Sequence, residues 1–388
     1  MKTIAIVLLL TAAITAQSVK LTPHKITLSG RSITLNAPDE FEILPAAEGL
    51  KRVRFIAKAP DGRLFVTDMY NLTDNKRGLI YILDGWDAAR GKFGKVVPYI
   101  TGLRNPNSVQ FYRDAKGQDW LYIAETDKLS RRKFTPGETS PTDTHPQVLA
   151  TFPDYGLSYK YGGWHLTRTI AFSPAGKLYI SVGSSCNSCE EKEKVRASVI
   201  EMDSDGSDQH EFARGLRNAV SLKWLAGHLF ASNQGSDHLG LQKPDETFYA
   251  LKENADYGWP YCHSSSGRIF ADPKLKRAPG CSGVASPYAS FPAHASALGF
   301  DFFDDPDAPP AIKDSFLVAL HGSTDKSIGH GYKIVVMRKG EKLQDLITGF
   351  LSGGRVAGRP CDIYKLDANS FLFTDDNKGI IYYVRPRK

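Results

Sequence analysis

Five short apolar segments of the chain open on cationic or amide side chains: GLRNPNSVQF from Gly102, WHLTRTIAF from Trp164, GLRNAVSLKW from Gly215, HASALGFDFF from His294 and RPCDIYKL from Arg359. Their openings place Arg104, Asn105, His165, Arg217, Asn218, His294 and Arg359 in equivalent positions. Arginines gathered around one cavity repel one another unless an anion joins them, so such a cavity suits a polycarboxylate or phosphate better than a neutral ligand. The competing reading pairs each arginine with Asp362 or another local carboxylate and seals the space.

Cysteines and acidic runs offer further chemistry. Cys186-Asn187-Ser188-Cys189 has the CxxC spacing of a zinc or redox site, but the next pair, Cys262 and Cys281, lacks it. Local disulfides Cys186–Cys189 and Cys262–Cys281 are therefore expected in preference to zinc, leaving Cys361 free. The run MDSDGSD from Met202 lacks the spacing and final Glu of an EF-hand loop and reads as a hairpin turn.

Elements that could bring the five openings together are visible as a repeat. A turn containing Gly, Asp or Asn is followed by a short alternating strand in APDGRLFVTD, DAKGQDWLYIAET, SPAGKLYISVG, LAGHLFASNQG, KDSFLVALHG and LDANSFLFTDD. The markers Phe65, Tyr122, Tyr179, Phe230, Phe316 and Phe371 are spaced by 57, 57, 51, 86 and 55 residues, which puts one insertion between the fourth and fifth copies. A period of this size suits a four-stranded sheet with generous loops. Each hairpin has too little apolar surface to stand alone and needs neighbours on both faces. The expectation is an all-β, six-bladed β-propeller of four-stranded antiparallel sheets, the opening strand of each copy lining the central channel. A β-sandwich or parallel β-helix is the alternative.

Composition agrees with a large globular chain. Of 388 residues, 41% are hydrophobic and 23% charged, and the net charge of +7 argues against a dedicated nucleic-acid binder. The opening MKTIAIVLLLTAAITA has Lys2, an apolar run and small residues up to Ala16, as in a secretory signal peptide; a membrane anchor is the other reading, but the run is shorter than a span. The resulting division is a signal peptide over 1–16, an extension over 17–39 and the propeller over 40–388. A secreted or periplasmic protein without stable membrane insertion after cleavage is expected.

The ordered series HLTRTIAFSPAGKLYISVGSSCNSCEE, ARGLRNAVSLKW, ENADYGWPYCH, ALHGSTDKSIGHGYKIV and GRPCDIY resembles the glucose/sorbosone dehydrogenase family, most nearly its sorbosone-dehydrogenase-like branch, over residues 40 to 388. The resemblance implies a propeller that holds pyrroloquinoline quinone (PQQ) and calcium above the channel and oxidises sugars at an aldehyde or hemiacetal carbon. It implies His165 as the catalytic base, a role that suits an imidazole because the base must titrate near neutrality. Arg217 corresponds to the arginine acting at the quinone carbonyl, and Asn218 and Arg359 to cofactor-binding residues. Gln234 and His294 are placed with them, as is Lys326, with Lys333 an alternative. The family's Gln-Gly-Pro phrase corresponds to Gln234-Gly235-Ser236, so the carbonyls of Gly235 and Ser236 are the expected calcium ligands, with Asp237 a further candidate.

One position departs from the pattern. The family's glucose dehydrogenases orient their histidine with an Asp in a Gly-Asp turn, which here reads Gly183-Ser184; Glu190 or another acid must substitute, or the base is less activated. The expected partners are a small sugar and a separate electron acceptor, since neither cysteine pair forms a C-x-x-C-H haem motif. Two other functions stand beside the dehydrogenase: a calcium-dependent propeller lactonase, and a non-catalytic propeller that presents a binding surface.

Overall fold

The repeated turn phrase has one geometry. In the computed structural model, which describes residues 20–153 and 165–387, Gly62 donates to Ala59, Gly117 to Asp114 and Gly176 to Ser173, while the amides of Ala59, Asp114 and Ser173 reach the carbonyls of Arg63, Gln118 and Lys177. The three glycines have φ of 86°, 81° and 83°, values an L side chain rarely adopts, so glycine is what lets the strands reverse here. The proposed signal peptide and Trp164 lie outside the described residues.

Among the described residues, six blade sheets follow in chain order. The first blade is Val53–Lys58, Leu64–Asp68, Gly78–Asp87 and Lys92–Leu103; the second is Ser108–Arg113, Asp119–Ala124, Lys128–Lys133 and Gln147–Thr151. The third, Arg168–Phe172, Leu178–Val182, Ser198–Met202 and His210–Arg214, gains a short parallel edge, Ala255–Asp256, and so departs from the purely antiparallel expectation. The fourth is Ala219–Leu225, His228–Asn233, Glu246–Leu251 and Ala289–Phe291; the fifth is Ala297–Phe303, Ser315–Leu320, Lys333–Met337 and Gln344–Ile347. The sixth joins Pro360–Lys365, Phe371–Asp375 and Ile380–Pro386 to Phe41–Ala47, so the ring is closed by pairing the two ends of the chain. The insertion falls within the fourth blade, before its outermost strand, and carries its own hairpin, Cys262–Ser265 with Arg268–Ala271.

The core is divided among the six blade interfaces. Phe65, Tyr99, Val109 and Leu121 pack between the first two blades; Phe230, Phe248, Phe300 and Phe316 pack between the fourth and fifth. The hairpin Leu21–Leu28 with Arg31–Pro38 inserts Ile26 and Leu35 into the core shared by the fifth and sixth blades, so the extension is part of the fold. Threonine hydroxyls latch neighbouring blades: Thr67 donates to the carbonyl of Asn107 at 2.7 Å and Thr374 to that of Arg54 at 2.9 Å.

Near the axis the innermost strands of the first, fourth, fifth and sixth blades each carry one extra residue, breaking register between Val53 and Ile56, Ala219 and Ser221, Ala297 and Phe300, and Pro360 and Ile363. Bulges re-aim side chains. The residues within them include Phe55, Val220, Leu298 and Cys361, which form one buried apolar cluster. The first and fourth blades face each other across a six-membered ring, so this cluster spans the axis.

Candidate active site

Three of the expected site residues share an unusual backbone state. Asn105, His165 and His294 each stand three residues before an innermost strand, with φ of 43°, 54° and 61°. Non-glycine residues in this region cost free energy and are held there by their surroundings. The segments entering the innermost strands and the connections between the second and third strands meet at the same end of the ring, and the candidate residues lie on them.

His165 is fixed by the Gly183-Ser184 turn. Its Nδ1 lies 3.0 Å from both the carbonyl and the hydroxyl oxygen of Ser184, and that hydroxyl donates to the carbonyl of Cys186 at 2.7 Å. With its own proton committed, the hydroxyl can only accept from His165, so Nδ1 carries the ring proton and Nε2 the basic lone pair. Burial, with the Arg217 charge beside it, holds the imidazole well below its usual value of 6.5 and keeps it neutral. Serine thus supplies the orientation, without the negative charge of an aspartate. Glu190 does not fill that place; it accepts a hydrogen bond from Tyr261 instead.

Arg217 is buried, with Nε and Nη2 donating at 2.9 Å to the carbonyl and side-chain oxygens of Asn187, inside the ring closed by the Cys186–Cys189 disulfide. Its Nη2 also meets Asp237 at 3.2 Å, and Asp237 meets Nδ1 of His294 at 3.2 Å. Asn218 donates to the Gln234 side chain at 2.7 Å, while its own Oδ1 is buried without a hydrogen-bond partner. His165, Arg217, Asn218, Gln234 and His294 are therefore drawn into one constellation from the third, fourth and fifth blades. Gly183 makes room for it: a Cβ there would lie 2.6 Å from both Asn218 Oδ1 and His165 Cβ.

Beside this group, Gly235 presses against Pro244 and the carbonyl of Asp245. Ser236 accepts from the Trp259 indole at 3.0 Å and caps the 3₁₀ turn Asp237–Leu239. A cap residue's carbonyl already accepts the first bond of its turn, which makes Gly235 the freer of the two expected carbonyl ligands. Glu246 adds a group the sequence reading passed over: burial raises its carboxyl to about 8, although Arg217 pulls the other way, and its Oε2 has no hydrogen-bond partner.

The sixth blade contributes differently. Arg359 donates to the carbonyls of Gly322 at 2.7 Å and Ser323 at 2.9 Å and to the Tyr332 hydroxyl at 3.0 Å, and among the described residues no carboxylate balances it. Lys326 is exposed on the same 321–332 connection, whereas Lys333 pairs with Asp345 at 2.8 Å in the fifth blade. Arg104 is engaged with Asp74 and Asp127, and Asn105 with the 71–75 loop, and among the described residues these contacts lie apart from those around His165. Asp362 is not the arginine partner: it receives the Ile56 amide and lies near Lys223. Other local carboxylates do pair with Arg104 and Arg217, while Asp376 takes two arginines outside the set, Arg54 at 2.8 Å and Arg52 at 3.1 Å, together with His321 at 2.8 Å. The two disulfides and buried Cys361 are as expected.

A propeller with a polar, cation-bearing mouth over an apolar axis is thus the class that fold and site define. The family model described as TrAA12-like matches residues 36–346, and the chain belongs to that family. Its fold is similar to the holo form of the PQQ domain of pyranose dehydrogenase from Coprinopsis cinerea, with a TM-score of 0.73, 20% identity, and coverage of 90% of this chain and 97% of that one. It is likewise similar to an iodide structure of the Trichoderma reesei carbohydrate-active enzyme family AA12, with a TM-score of 0.73, 16% identity, and coverage of 97% and 100%. An uncharacterized protein of Borreliella burgdorferi is 24% identical over 379 residues, covering 92% of this chain and 93% of its own length.

Proposed function

We propose that this chain oxidises an aldose or related sugar aldehyde or hemiacetal with PQQ and calcium held at the mouth described above. The observation that carries the reading is the pinned, neutral imidazole of His165 beside the buried guanidinium of Arg217. Family membership and the pyranose dehydrogenase PQQ domain among similar folds favour the same chemistry.

The residues suit the cofactor. Arg359 meets backbone carbonyls, the Tyr332 hydroxyl and the His321 ring but no carboxylate among the described residues, so its charge remains for a carboxylate of the quinone. Asn218 and Gln234 offer amides and Lys326 an exposed cation, His294 steadies the turn beside them through Asp237 and the Gly240 carbonyl, and Gly235 and Ser236 offer carbonyls to calcium, a cation that accepts such oxygens. Bound PQQ supplies a two-electron acceptor for the hydride leaving the sugar carbon. His165 takes the proton of the sugar hydroxyl at Nε2, and Arg217 stabilises negative charge that develops opposite it. The electrons then pass to a separate acceptor, and export places the reaction outside the cytoplasm.

The test titrates metal-stripped protein with PQQ and calcium and follows reduction of an artificial acceptor over a panel of aldoses, including sorbosone-like aldehydes. Turnover that requires both additions is expected. His165→Ala should keep the quinone's spectral shift and lose roughly 10²- to 10⁴-fold in rate. No spectral shift would favour a binding module, and lactone hydrolysis without quinone a lactonase.

A further inference from the structure

The insertion in the fourth blade brings three metal-ligating side chains together beside the turn that carries Asp237. His238 lies in the 3₁₀ turn Asp237–Leu239, His263 in the strand Cys262–Ser265, and Asp272 follows the strand Arg268–Ala271. Both Nε2 atoms lie 2.8 Å from Asp272 Oδ2, and the three candidate ligand atoms fall within 4.8 Å of one another.

The geometry points to a site for a zinc-like divalent transition-metal ion, with His238, His263 and Asp272 as ligands and a fourth position for water. Two imidazoles and one carboxylate form a donor set that suits zinc and its neighbours, whereas calcium asks for six to eight oxygens. Tetrahedral zinc with bonds of about 2.0–2.1 Å holds its ligand atoms about 3.3 Å apart, so a small outward movement of the rings would admit the ion. Asp272 is prepared for one-oxygen ligation: its Oδ1 accepts the amides of Lys274 at 2.7 Å and Leu275 at 2.8 Å, which fixes the carboxylate and leaves Oδ2 facing the histidines. The Cys262–Cys281 disulfide anchors the strand carrying His263.

Access and burial fit the same use. The side chains of His263 and Asp272 are 3% and 0% exposed, against 20% for His238, so an ion would be enclosed by protein with an entry beside the third ligand. Nδ1 of His238 is buried without a hydrogen-bond partner, so the polar contact that orients this ring is on the Asp272 side. Because Asp237 adjoins His238 and pairs with Arg217, a bound ion would clamp the inserted hairpin to the turn that steadies the candidate active site. The inference concerns metal binding and does not depend on the identity of the reaction.

Full-length protein stripped with a chelator and dialysed against zinc should take up one ion per chain, undiminished by excess calcium. Cobalt in its place should give the visible ligand-field absorption of a four-coordinate centre. His238→Ala, on a surface turn, and Asp272→Asn should each weaken zinc binding by more than about tenfold. His210→Ala, at an exposed histidine remote from the cluster, should leave it unchanged. Absence of stoichiometric uptake by the parent protein, or unaltered uptake by the soluble His238→Ala variant, would overturn the assignment and leave Asp272 bridging two imidazoles by hydrogen bonds.

Discussion

At Gly183 a missing side chain matters as much as the catalytic groups beside it. A methyl there meets His165 Cβ and Asn218 Oδ1 at 2.6 Å, so Gly183→Ala should displace both; overpacking of this kind costs about 1–3 kcal/mol, and turnover and quinone affinity should fall together, in rate assays and spectral titration. His165 also carries a pH signature. Its folded value lies below 6.5, so the acid limb of kcat/KM should fall below the ordinary imidazole range. Stability should decline as pH drops beneath 6.5, because the unfolded ring takes up a proton that the folded one refuses. His165→Gln should flatten that slope in pH-dependent denaturant unfolding. His165, Arg217 and Asn218 were legible because they sit in local phrases. Asn187 and Glu246 were not, since their work depends on partners from other segments, and Asp237 was visible as a calcium candidate but not as the partner of Arg217 and His294; Glu246 simply opens an ordinary strand.

At the scale of elements, the small ring closed by Cys186 and Cys189 supports two functional groups at once. It receives the Ser184 hydroxyl that orients His165 and supplies both Asn187 oxygens to Arg217. Replacing both cysteines by serine should weaken quinone binding by about tenfold or more, the worth of a charge-assisted hydrogen bond, with a smaller effect on thermal midpoint. Spectral titration against the parent protein checks this. Strand existence was readable from alternation around Phe65, Tyr122 and Phe371. The four axial bulges were hidden because a single extra residue leaves most of the two-residue pattern intact. The insertion's place was hidden too: Ala289–Phe291 returns to the fourth blade only after a long excursion, and nothing in its three residues identifies the sheet it completes.

For the whole molecule, the last blade depends on residues from the beginning of the chain. Removing residues 20–47 would delete the Phe41–Ala47 strand and the hairpin that packs Ile26 and Leu35, and should abolish cooperative thermal unfolding monitored by circular dichroism. Asp376 joins the first, fifth and sixth blades through Arg52, Arg54 and His321; although burial opposes ionisation, these groups hold its carboxyl well below the usual range. Asp376→Asn would leave Arg54 buried without that charge and should destabilise the fold by about 3–5 kcal/mol in denaturant unfolding. Six copies were countable from their turns, yet the closing strand was not, because Phe41–Ala47 lacks the hairpin phrase that marks the others.

The cluster of Phe55, Val220, Leu298 and Cys361 gives the ring a floor. Among the described residues this floor bars the axial route, so sugar and electron acceptor would reach the proposed pocket from the same side, and the oxidised product would vacate it before the acceptor comes close. Sugar and acceptor would then take turns, and double-reciprocal plots of rate against sugar at several acceptor concentrations should run parallel.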